Sequence, residues 1–118
     1  MLSIGSKAGQ IKHGVTWKYV GELDEKSKMC GRGVKTYSDG VEYTGTFYDD
    51  LYHGIGVQSW SHLVYEGEYK AGKRHGRSTN YMRHGDVFNM TYKEGTRATS
   101  TKVDDPSEAW YGDGKPVK

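Results

Sequence analysis

A chain of 118 residues has room for one domain and not for two, and its formal net charge of +2 singles out neither nucleic acid nor an anionic membrane as a partner. Val, Ile, Leu and Phe supply only 18 residues against 15 aromatics and 17 glycines, which excludes a thick aliphatic core. The charge is too small for a disordered chain and the rings fall at regular positions, so the composition predicts an ordered protein with a thin core of rings.

Residues 1–14 read as an N-terminal arm without a strong pattern. Lys7 and Lys12 lie in it and Lys18 follows, all before the first acidic residue of the chain, Glu22. An acid-poor, basic start is one property of an organelle-targeting segment, but this one lacks arginine and a clear amphipathic pattern. No stretch approaches the roughly 18 apolar residues of a membrane span, and no secretory signal is recognisable. The single cysteine, Cys30, excludes an internal disulfide and fits a reducing, intracellular compartment.

From Val15 to about residue 93 the chain repeats itself. Tyr19-Val20-Gly21-Glu22-Leu23 recurs as Tyr43-Thr44-Gly45-Thr46-Phe47, as Tyr65-Glu66-Gly67-Glu68-Tyr69 and, degraded, as Phe88-Asn89-Met90-Thr91-Tyr92. The copies start 24, 22 and 23 residues apart. The first three run on into a second glycine motif, Gly31-Arg32-Gly33, Gly54-Ile55-Gly56 or Gly76-Arg77-Ser78. An aromatic (Tyr37, Trp60 or Tyr81) and a polar turn follow. Alternation within Tyr-x-Gly-x-aromatic puts both rings on one strand face with glycine between them. Each repeat is therefore expected to be one β-hairpin. Hairpins stacked edge to edge place equivalent residues two strand spacings, about 10 Å, apart. Three ladders follow: Tyr19, Tyr43, Tyr65 and Phe88; Leu23, Phe47, Tyr69 and Tyr92; Tyr37, Trp60 and Tyr81. The predicted fold class is all-β, a single-layer antiparallel sheet of stacked hairpins over residues 15–93.

Residues 94–118 read as an irregular C-terminal tail, with Asp104-Asp105-Pro106 and Gly112-Asp113-Gly114 as breakers. Trp110 and Tyr111 stand out in that polar tail and are expected to anchor it, either on the chain's own ladder or on a partner.

The pattern Tyr-x-Gly-x-aromatic, then Gly-x-Gly-x-x-x-aromatic, then Asp-Gly resembles the MORN (membrane occupation and recognition nexus) repeat. The resemblance covers roughly residues 19–93. It departs from the pattern at Leu63, Ser78 and Met90, each standing where a glycine is expected. These departures mark the fourth copy as a fading cap and predict a remodelled turn over Trp60–Val64. The resemblance implies a non-catalytic protein that binds other proteins or membranes.

No constellation of residues suggests chemistry, a metal or a cofactor. His13, His53, His75 and His84 each precede a glycine, but His53 and His75 occupy one repeat position and so sit about 10 Å apart, too far for one zinc. Cys30 has basic neighbours in Lys28 and Arg32 but no triad spacing. Gly31-x-Gly33 lacks the third glycine and helix of a dinucleotide site. Glu66 with Glu68, and Asp49-Asp50, alternate with rings or fall in turns, which places them in solvent.

The expected protein-interaction residues are the rings: Tyr19, Tyr43, Phe47, Trp60, Tyr65, Tyr69, Tyr81, Phe88, Tyr92, Trp110 and Tyr111. Lys70, Lys73, Arg74, Arg77 and Arg83 form a basic cluster with three readings: a solvated hairpin edge, a dock for an acidic surface (the tail's own Asp104, Asp105, Glu108 and Asp113 among the candidates), or an anion site for lipid headgroups. Nucleic acid is disfavoured, because the rings are committed to the ladder. A one-layer sheet needs its face covered and its edges paired. The expected function is thus a structural subunit completed by other proteins. The resemblance to MORN proteins implies its setting, a large eukaryotic assembly, axonemal, cytoskeletal or mitochondrial, with a peripheral lipid-binding module as the alternative.

Overall fold

A computed structural model describes residues 7–112, and residues 1–6 and 113–118, Asp113 among them, lie outside the described residues. Nine strands run β1 (Lys7–His13), β2 (Trp17–Leu23), β3 (Met29–Tyr37), β4 (Glu42–Tyr48), β5 (Leu51–Ser59), β6 (Leu63–Lys70), β7 (Lys73–Met82), β8 (Val87–Lys93) and β9 (Thr96–Lys102). Every strand pairs antiparallel with the next, and their spatial order is their chain order. Eight spacings of about 4.8 Å make roughly 38 Å, so the 45 Å long axis lies across the strands.

The turns explain this simple order. Asp49-Asp50, Ala71-Gly72 and Glu94-Gly95 are two-residue links in which both residues have positive φ. Such turns match the natural twist of a hairpin and fix its register. Four-residue links with Gly40 or Gly85 at positive φ join β3 to β4 and β7 to β8. Between β5 and β6, where Leu63 replaces glycine, the link shrinks to Trp60-Ser61-His62 and contains no positive φ. It closes with the Trp60 amide donating to the Leu63 carbonyl at 2.8 Å.

The sheet extends one strand beyond the repeat at each end. Part of the supposed N-terminal arm is β1, and the first part of the supposed irregular tail is β9. Neither strand carries the ring-and-glycine pattern of the repeat, and the one glycine of β1, Gly9, has positive φ at a register shift. They form because β2 and β8 each offer a free edge next to a short polar stretch that can extend. Of the tail, the described residues beyond Lys102 are irregular, with one 3₁₀ turn at Pro106–Glu108 capped by Asp105.

Candidate interaction surfaces

The front face holds the core. Tyr19, Tyr43 and Tyr65 have no accessible surface, and Phe47, Tyr69 and Met29 are buried beside them. Their packing is edge to face: Tyr43 meets Phe47 at 5.0 Å and Tyr69 at 5.3 Å, and Tyr65 meets Tyr69 at 5.1 Å. Such geometry adds about 0.5–1.5 kcal/mol per pair beyond burial. Each ring lies over a lane of glycines formed by the pairs Gly21 with Gly33, Gly33 with Gly45, Gly45 with Gly56 and Gly56 with Gly67. A Cβ at Gly33 would stand 2.5 Å from the Tyr19 hydroxyl. The hydroxyls then donate three residues on, Tyr19 to the Glu22 carbonyl (2.7 Å), Tyr43 to Thr46 (2.8 Å) and Tyr65 to Glu68 (2.8 Å). Burial raises the Tyr19 phenol to about 12 and pushes Tyr43, Tyr65 and Tyr69 higher.

The first glycine of each Gly-x-Gly has a different job. Gly31, Gly54 and Gly76 have positive φ and sit at or beside a register shift. At Gly31 a Cβ would meet the Glu22 carboxylate. Glu22 uses the room to accept the Arg32 amide at 2.7 Å, and Glu68 accepts the Arg77 amide at 2.8 Å in the third repeat. The acidic residues are thus built into the repeat.

Two ladder assignments need correction. Tyr81 does not stand with Tyr37 and Trp60. Those rings follow the second glycine by four residues, and four after Ser78 is Met82. An odd offset on a strand reverses the face, and Tyr81 is buried on the back, paired with Val64 and Val87. The fourth rung is also incomplete. Phe88 keeps the register but is half-buried, has no hydroxyl to donate, and is followed two residues on by Met90 where the other copies have glycine. A further ladder runs two residues before the first glycine: Met29, Tyr52 and Arg74. Tyr52 stacks on Tyr43 at 3.8 Å, its hydroxyl bonded to that of Tyr37. The constant offset was its only signal, since the residue type changes at each copy.

The basic residues of repeat three do not form one patch. Arg74 lies on the front within 4.5 Å of the Tyr65 ring, 5.1 Å of Trp60 and 5.5 Å of Tyr92. Arg77 is on the back, over Trp110 at 4.5 Å. Arg83 sits at the other end of β7, donating to the Ser61 carbonyl at 2.9 Å, and Lys70 and Lys73 flank the hairpin turn. Strand alternation separates Arg74 from Arg77. His53 and His75 accept backbone amides of the next hairpin turn, from Ala71 (3.1 Å) and Glu94 (3.3 Å).

The tail is anchored on the chain itself. After β9 it turns onto the back of repeats three and four, Val103 donating to the Val87 carbonyl at 2.7 Å. The Trp110 amide donates to Asn89 Oδ1 and the Tyr111 amide to Thr79 Oγ1, both at 3.0 Å. The Tyr111 hydroxyl reaches Glu68 Oε2 at 3.0 Å, and the Tyr81 hydroxyl donates to the Tyr111 carbonyl. Among the described residues, no acidic side chain of the tail takes part in this: Asp105 caps its own 3₁₀ turn, and the contact from Glu108 is its carbonyl, accepting from Asn89 at 2.8 Å.

The MORN repeat model matches three segments, residues 19–42, 43–61 and 65–77. The Tyr-over-glycine hairpins described above fall within these segments. These three segments are MORN repeats. The chain is also 39% identical over 66 residues to the MORN repeat-containing protein 3 of Xenopus laevis, a match covering 53% of this chain and 26% of that protein. The chain thus matches about a quarter of the length of that curated relative. MORN repeats are generally non-catalytic and often serve protein or membrane interactions. In this MORN sheet the deepest rings belong to the core and have no surface to offer. Tyr19, Tyr43, Phe47, Tyr65, Tyr69 and Tyr81, expected to touch a partner, instead hold the fold together. Trp17, Tyr37, Trp60, Phe88 and Tyr92 stay half-buried along the rim. Among the described residues, no strand pairs with the outer side of β1 or of β9, and every residue of β9 is exposed.

Proposed function

We propose that the chain is a non-catalytic structural subunit, binding partner proteins through its two open sheet edges and the half-exposed rim of its aromatic face. The observation that carries this reading is that, among the described residues, the outer edges of β1 and β9 pair with no strand, on a sheet one layer thick. An edge presents a row of backbone donors and acceptors that another strand can complete. The setting we favour is a large eukaryotic assembly, axonemal, cytoskeletal or mitochondrial. Lipid binding through Lys70, Lys73 and Arg83 is the competing reading, and it has only dispersed charges to draw on.

The test is affinity purification of the tagged endogenous chain from native extract, then size exclusion and mass spectrometry at low and high salt. A salt-resistant, high-mass peak with constant companions supports the subunit reading. A free monomer whose only retention is on anionic vesicles, lost as salt rises, would replace it with the lipid reading.

A further inference from the structure

The tail's seat in repeat three has a counterpart in repeat one. The seat uses Glu68 and Arg77 for the Tyr111 hydroxyl and the Trp110 ring, with Glu66, Thr79 and Asn89 beneath. The repeat carries each of these positions back to repeat one: Glu22 for Glu68, Arg32 for Arg77, Val20 for Glu66, Val34 for Thr79 and Thr44 for Asn89. The acid and the arginine are retained, in the same backbone arrangement, each carboxylate accepting the amide of its arginine. Repeat two lacks the pair, with Thr46 and Ile55 at these places. On the back of repeat one, Val20, Arg32, Val34 and Thr44 line an open groove of about 330 Å³. This is within the size range of specific ligand sites. Val20 is 41% exposed, and Ile11, next in the same row, 61%.

We propose that this groove is a docking site for an extended segment of a partner protein that carries an adjacent tryptophan–tyrosine pair, like residues 110–111. One ring lies against the Arg32 guanidinium, the tyrosine hydroxyl approaches Glu22, and apolar flanks rest on Val20 and Val34. The chain's own pair is consumed by repeat three, so the occupant comes from a different protein. Val20 and Val34 in place of Glu66 and Thr79 make this seat more apolar than the tail's and remove one acceptor for a backbone amide. The proposal rests on the chain being a partner-binding protein, but not on which edge or rim it uses.

The test is an NMR titration of the full chain with a synthetic peptide of the sequence of residues 103–112. Saturable shifts at Val20, Arg32, Val34 and Thr44 are expected. Replacing the peptide's tryptophan by alanine, or Arg32→Ala in the chain, should weaken binding on the order of ten-fold, the loss of one cation–π contact. The peptide variant reads the contact independently of how the chain tolerates its substitution. Shifts confined to Glu68, Arg77 and Asn89, or an affinity unchanged by both variants, would overturn the groove. A dimer of the chain alone that Arg32→Ala abolishes would put a second copy's tail there and overturn the assignment to a different protein. Native co-purification that survives Arg32→Ala, with no peptide binding, would remove the groove and leave the subunit reading standing.

Discussion

At the scale of single residues, the fold depends on tyrosine rings seated on bare backbone. Gly56→Ala would bring a Cβ within 2.5 Å of Tyr43 Cε2, and Tyr43 is wedged between Phe47, Tyr52 and Tyr69 and cannot retreat. Overpacking of this kind costs about 1–3 kcal/mol, to be read as a fall in the urea midpoint with the slope unchanged. Tyr43→Phe keeps the ring and removes the hydroxyl that donates to the Thr46 carbonyl, which should cost roughly 1–2 kcal/mol in the same assay. The phenols also set a pH limit. A folded-state value raised from 10.0 to about 12 at Tyr19, and raised further at Tyr43, means the folded chain keeps protons that the unfolded chain has released. That stability is fully present below pH 10 and is lost as pH climbs through 10–12 and beyond. An alkaline titration should show tyrosinate absorbance from the buried rings rising only together with loss of the β-sheet circular dichroism.

At the scale of elements, period and punctuation were readable because the physics is local. Tyrosine over glycine forces a fixed spacing, and Ala71-Gly72 or Asp39-Gly40 can only be turns. What the sequence hid is decided by neighbours. β1 and β9 are polar stretches that become strands only because an edge is available to them. Tyr81 faces the back because it comes one position early, and counting from Ser78, not the residue type, decides its face. The seat of the tail was invisible, being made of Thr79 and Asn89, ordinary polar residues whose burial depends on what lies over them. Its energetic role follows from that burial. Ending the chain at Val103 would uncover Tyr81, Val87, Thr79 and Asn89. Amides of β7 and β8 should then exchange faster while those of β3–β5 keep their protection, since repeats couple mainly to neighbours. Equal acceleration throughout the sheet would show that the tail stabilises the whole and not one end.

At the scale of the whole molecule, the sheet solves one of the two problems posed by its thinness. Its front is covered by its own rings, so little of the aromatic face remains for a partner beyond the rim. Its back is covered by the tail over repeats three and four, and among the described residues its two outer strands stay open. The most direct measurement of the central claim, that the edges are where this MORN sheet joins its partners, is hydrogen–deuterium exchange of the free chain against the same chain in its purified assembly. Fast exchange is expected in β1 and β9 of the free chain, with strong slowing of both in the assembly and slow exchange in β4–β6 in either state. Edges that exchange equally fast in both states, with new protection confined to other strands, would contradict that claim.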